Sequence, residues 1–185
     1  MIYYISDLHI GDQRVFDLCL RPFSSLQEYE NELIRRWNNK VTNDDVVFIL
    51  GDIADCSLER VKEVFGCLNG RKRLIIGNHD EKLLLKYLAE GIVVSAAGVK
   101  HIEDAGRLVF LCHYPVMDWW FGDKKIYHVY GHVHNKTDHL HQAINDFYRD
   151  KTAYNASADV VNFEPVTLDE LIRMKEEGTH EAYIN

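Results

Sequence analysis

Five times along the 185 residues a short apolar run stops abruptly at residues that ligate metals. Residues 2–6 lead into Asp7-Leu8-His9, and 46–50 into Gly51-Asp52. Residues 74–76 lead into Gly77-Asn78-His79-Asp80, 108–112 into His113, and 126–130 into Gly131-His132-Val133-His134. Runs this short, rich in β-branched and aromatic residues and closed by polar punctuation, read as strands. One such junction means little. Five imply that several strands end at one place and build a single site there. Carboxylates, imidazoles and one amide suit divalent metals rather than a thiolate site, and a pair of such metals is a device for cleaving phosphoesters.

The order of elements sets the scaffold. Ser25-Leu26-Gln27-Glu28 matches a capping box, and Leu26, Tyr29, Leu33 and Trp37 recur at helical spacing over 26–39. Residues 58–68 place Leu58, Val61, Val64, Phe65 and Leu68 on one helical face, and a further helix is expected over 81–89. Strands and helices therefore alternate, which favours a parallel sheet. After residue 90 the pattern changes to strand-like runs at 92–95, 98–102, 107–111, 126–130 and 152–154, with one helix over 167–177 capped by Thr167. The segments between the first strand and Phe23, and between His134 and 152, read as loops. Two sheets stacked between helix layers, in one domain over 1–185, is the expected architecture.

Composition narrows the function classes. The net charge of −8 argues against a long non-specific nucleic-acid track, which needs many Lys and Arg. No apolar run approaches the roughly 20 residues that cross a bilayer, and no secretory signal is visible at the N-terminus, so a cytoplasmic protein is expected. The four cysteines form no C-x-x-C pair and are expected to be reduced thiols, Cys112 in the core.

The ordered series D-x-H, G-D-x-x-D, G-N-H-D, H and G-H-x-H, over residues 7–134, resembles the calcineurin-like metallophosphoesterase superfamily. Arg21-Pro22-Phe23, Leu68-Asn69-Gly70-Arg71-Lys72, His113-Tyr114-Pro115-Val116 and Tyr130-Gly131-His132-Val133-His134 are similar to stretches of its small bacterial and phage members. The resemblance implies a four-layer α/β/β/α sandwich of two mixed sheets flanked by helices. It implies a dinuclear centre, with Asp7, His9, Asp52 and His134 on one metal, Asp52, Asn78, His113 and His132 on the other, and Asp52 bridging. Mn, Fe, Zn, Ni and Co all suit this set, with manganese the first to try. A hydroxide shared by the ions would attack phosphorus, and His79, oriented by Asp55, would protonate the leaving oxygen. The implied activity is that of a phosphodiesterase on nucleotide-like or other small phosphoesters. A nuclease of the same fold and a non-catalytic metal-binding scaffold are the alternatives.

Two departures from the resemblance matter. Cys56-Ser57 and Asp80 stand where protein phosphatases of the superfamily carry Arg-Gly and Glu, which disfavours a protein substrate. Asp12 stands where the small members often have His, and an acidic residue there is expected to repel a phosphate. Arg21, and less directly Arg14 and Arg71, are candidates to grip the substrate with Asn78. Trp119-Trp120-Phe121 is expected to be a loop anchor, a lid, a stacking surface or an interface. Asn155-x-x-x-Asp159 is expected to seal the second sheet or support the metal loops. No membrane contact is expected, and the oligomeric state is open.

Overall fold

The computed structural model describes residues 1–119 and 124–178. The first half runs β1 (Ile2–Ile5), α1 (Gln13–Cys19), α2 (Leu26–Lys40), β2 (Val46–Ile49), α3 (Leu58–Gly66), β3 (Arg71–Ile75), α4 (Leu84–Ala89) and β4 (Ser95–Ala97). The second runs β5 (Val99–Asp104), β6 (Arg107–Cys112), β7 (Ile126–Tyr130), α5 (His139–Tyr148), β8 (Ala153–Asn155) and α6 (Leu168–Glu176).

The strands form two four-stranded sheets, ordered β1-β2-β3-β4 and β5-β6-β7-β8, flanked by helices as the resemblance implies. The expectation of two mixed sheets is corrected for the first, whose pairs are all parallel because every connection is a helical crossover. The second sheet is mixed. β5 and β6 form an antiparallel hairpin, while β6-β7 and β7-β8 are parallel. The hairpin turns at Ala105-Gly106, both at positive φ (49° and 78°), the backbone that a two-residue turn between right-twisted strands requires.

Helix placement follows from caps and apolar faces. Ser25 caps α2 by accepting from the Glu28 amide, and Tyr29, Leu33 and Trp37 are fully buried below it. Glu28 does not close the box on Ser25. It accepts from the Ser24 amide at 2.7 Å instead. Thr167 and Glu170 form a complete capping box on α6. Two helices fall where loops were expected. α1 starts at an Asp12 cap and buries Val15, Phe16 and Cys19, and α5 starts at an Asp138 cap and lays Ile144, Phe147 and Tyr148 against the second sheet. The strand expected at 92–95 begins instead at Ser95, since Ile92 and Val93 are tied by turn hydrogen bonds to the Tyr87 carbonyl.

The segment after β8 joins the two sheets. Ser6 at the end of β1 donates to the Ala156 carbonyl and accepts from the Ala158 amide, both at 2.8 Å. The Ala156 amide donates to Tyr130 at the end of β7, also at 2.8 Å. The carboxyl ends of β1 and β7, which carry the first and last ligand motifs, are thereby fixed side by side.

Candidate metal centre

The ligand motifs leave their strands through strained turns. Asp7, His9, Asp52, His132 and His134 all lie in the left-handed region, with φ between 48° and 72°. Each costs on the order of 1–3 kcal/mol unless its surroundings enforce it. Asp7-x-His9 is thus not extended, as an i, i+2 pair on one side of a strand would be. The two side chains converge because the chain turns left-handed at both residues. Close packing of the turns explains the glycines. A Cβ on Gly131 would strike the Ser6 hydroxyl and approach Asp7 Oδ2 to 2.6 Å, and one on Gly77 would strike Asp52 Oδ1.

Two clusters result. Ligand atoms of Asp7, His9 and His134 lie within 4.8 Å of one another, as do those of Asp52, His113 and His132. Asp52 stands between them, its Oδ2 3.7 Å from His9 Nε2 and 3.5 Å from His113 Nε2. Asn78 Oδ1 joins the second cluster at 3.1 Å from His113 Nε2, and His132 Nδ1 lies 3.2 Å from that nitrogen. His113 Nδ1 donates to the Leu50 carbonyl at 2.6 Å, so its Nε2 turns a lone pair toward Asp52 and Asn78, which are acceptors as well. His9 is buried, and neither ring nitrogen has a hydrogen-bond partner. Converging acceptors and an orphaned buried imidazole fit a divalent cation in each cluster.

The electrostatics tell the same story. Burial pushes His9 down to about 3, so its ring is a neutral ligand. Burial alone would raise Asp7, but the imidazoles of His134, His113 and His9 outweigh it and hold the carboxyl at about 2. Burial raises Asp52. Burial would lower His134, yet Asp7 on one side and the hydrogen bond to Asp159 on the other raise it well above the usual imidazole range. Positive charge is thus favoured at His134, between the carboxylates of Asp7 and Asp159.

Buried polar groups hold the ligands from behind. Asp159 accepts from His134 Nδ1 at 2.6 Å and from Arg21 Nε at 2.7 Å. Arg21 in turn donates to the Asp7 and Leu8 carbonyls at 2.7 and 2.9 Å. Ser157 donates to Asp7 Oδ2 at 2.8 Å, and the Asn155 amide donates to the His134 carbonyl at 2.9 Å. Asp80 accepts from the Asp52, Ile53 and Gly77 amides and so binds the second and third motifs together. Of these, Ser157 and Asp80 had no role assigned from the sequence, while the 155–159 stretch proves to support the metal loops.

Several sequence expectations are corrected. Arg21 is not a substrate group, because its guanidinium is fully buried and consumed by Asp159 and two backbone carbonyls. Asp55 does not orient His79. Its carboxylate pairs with Arg14, and among the described residues no carboxylate hydrogen-bonds the His79 ring. His79 is exposed, its amide bound to Asp52 Oδ1 at 2.9 Å and its ring 4.9 Å from that of His9. Asp12 is buried and held by Arg14 Nε and Nη2 at 3.0 Å, so its charge is neutralised rather than turned on a phosphate. Arg71 begins β3, at the strand end opposite the centre. Trp119 is a buried anchor that donates to the Ile126 carbonyl at 3.2 Å, and Trp120 and Phe121 fall outside the described residues. Cys112 is buried as expected, and all four thiols are free, although Cys67 is exposed. A cavity of about 930 Å³ under α5 touches His134 and Asp159 but no other candidate ligand, so it is not the face on which the clusters open.

The profile of the calcineurin-like phosphoesterases matches residues 1–168, and the chain belongs to that family. It is 32% identical to an uncharacterized protein of Methanocaldococcus jannaschii over all of this chain and 96% of the other. It is 28% identical to the Gene 66 protein of Mycobacterium phage L5 over 76% of this chain and 82% of that protein. A crystal structure of a protein of unknown function from Aquifex aeolicus shares the fold, with a TM-score of 0.70 at 23% identity over 94% of this chain and 98% of the other.

Proposed function

We propose that the chain hydrolyses phosphoesters with two divalent cations, Asp7, His9, Asp52 and His134 holding one and Asp52, Asn78, His113 and His132 the other. The observation that carries this reading is the position of the Asp52 carboxylate, within 3.7 Å of an imidazole from each cluster. Two divalent cations supply a water of lowered pKa and screen the charge that builds on the phosphoryl oxygens. Asn78, exposed beside His113, presents its amide to a phosphoryl oxygen. His79, exposed beside His9, gives its proton to the leaving oxygen, and the Asp52 carboxylate that accepts its amide fixes the loop for that transfer.

Charge favours diesters over monoesters. Arg21 is buried and spent, and Arg14 is shared between Asp12 and Asp55. A monoanionic diester needs less cationic support than a dianionic monoester. Nucleotide-like or other small diesters are thus the substrates of choice, and Mn²⁺ is the first cation to test. The experiment compares bis(p-nitrophenyl) phosphate with p-nitrophenyl phosphate, with Mn²⁺ and with a chelator. Chelator-sensitive cleavage with the diester ahead is expected. Monoester preference would overturn the diesterase assignment, and cleavage of neither by protein with two metals bound would overturn catalysis.

A further inference from the structure

One aromatic residue at the centre has no structural occupation. Tyr114 follows His113 directly, and its ring sits edge-on to His113 at 4.9 Å and to His132 at 4.6 Å. Both imidazoles pack against the ring, yet the residue is 44% exposed. Its hydroxyl makes no hydrogen bond among the described residues, whereas that of Tyr148, in the neighbouring core, donates to the Val116 carbonyl at 2.8 Å. Pro115 disfavours helical backbone at Tyr114, which narrows the directions the ring can take.

We propose that Tyr114 is the platform on which the planar base of a nucleotide lies while its phosphate, a diester before cleavage and a 5′-monoester after it, occupies the metal centre; this rests on the phosphoesterase reading above. A nucleoside 5′-phosphate carries its base one sugar away from phosphorus, and Tyr114 stands one ring away from both His113 and His132. Stacking on a tyrosine tolerates any base, since every base offers a π-face, so the platform selects the presence of a base rather than its identity. The ligand is a mononucleotide rather than a polynucleotide, because a net charge of −8 disfavours a long track along a phosphate backbone.

The test is equilibrium binding of inorganic phosphate, ribose 5-phosphate and AMP to the Mn²⁺-loaded protein. Wild type is expected to bind AMP roughly tenfold tighter than ribose 5-phosphate, the scale of one stacked base. Tyr114→Phe should keep that margin. Tyr114→Ala and the better-filling Tyr114→Leu should erase it and leave phosphate and ribose 5-phosphate unchanged. Equal binding of AMP and ribose 5-phosphate by wild type would overturn the platform alone. Loss of all three ligands together in the Leu variant would also overturn it, because the ring would then merely hold its imidazole neighbours. Failure of wild type to bind even phosphate would overturn the phosphoesterase reading, and the platform with it.

Discussion

At the scale of single residues, the site divides into the clustered ligand-type side chains and the buried groups that hold them. Asp52 is shared by both clusters, so Asp52→Ala should lose metal and activity together; two ions retained per chain would remove its bridging role. His79→Ala should keep both metals and slow turnover, most for esters with poor leaving groups, because a proton donor matters most there. Equal slowing for good and poor leaving groups would remove the proton-donor assignment. Asp159→Asn weakens the grip on His134 Nδ1 and should lower affinity at the Asp7 cluster by about 10–100-fold, read by metal titration. The residues that gather in the two clusters were legible because each sits in a short motif next to its neighbours in sequence. Arg21 and Asp159 were not. They are partners across 138 residues, and nothing local to an Arg-Pro-Phe tripeptide tells a buried ion pair from a phosphate clamp. Asp55 misled because its motif position pointed to His79, while Arg14, 41 residues away in sequence, took the carboxylate.

At the scale of elements, strand ends were easy to read and short helices were not. An apolar run that stops at a ligand marks its own end, and the five motif strands all form. α1 has seven residues, too few to display a period, and α5 carries Ile144, Phe147 and Tyr148 at helical spacing only after a start that alternates His139 and His141 with Leu140. The second sheet offers a test of packing against α5. His128 in β7 is fully buried among Phe110, Trp119 and Tyr130, accepts from the Val116 amide, and is pushed by burial down to about 4. Its unfolded value is near 6.5, so between these values the unfolded chain binds the extra proton, and stability falls as pH drops. The neutral ring contributes in full above about pH 6.5. Denaturant titrations should show wild type losing on the order of 3 kcal/mol more than His128→Gln between pH 6.5 and 4; parallel pH profiles would contradict this. Gly131→Ala should cost about 1–3 kcal/mol, since the added Cβ collides with Ser6 and Asp7.

At the scale of the molecule, two sheets are stitched together where their ligand-bearing ends meet, and the acidic chain concentrates buried carboxylates at that seam. On the proposed reading, cations held there would offset Asp7 and Asp52 and bind only the folded state. A hundredfold excess of Mn²⁺ over its dissociation constant should add about 2.7 kcal/mol, seen as a higher Tm that a chelator reverses. No helix among the described residues is long and apolar enough to cross a membrane. The first measurement is metal stoichiometry against turnover: Mn²⁺ is titrated into chelator-stripped protein while bound ions per chain and bis(p-nitrophenyl) phosphate hydrolysis are followed together. The account predicts two ions per chain, with hydrolysis appearing as the second binds. Saturation at one ion, or hydrolysis that persists in the stripped protein, would contradict it.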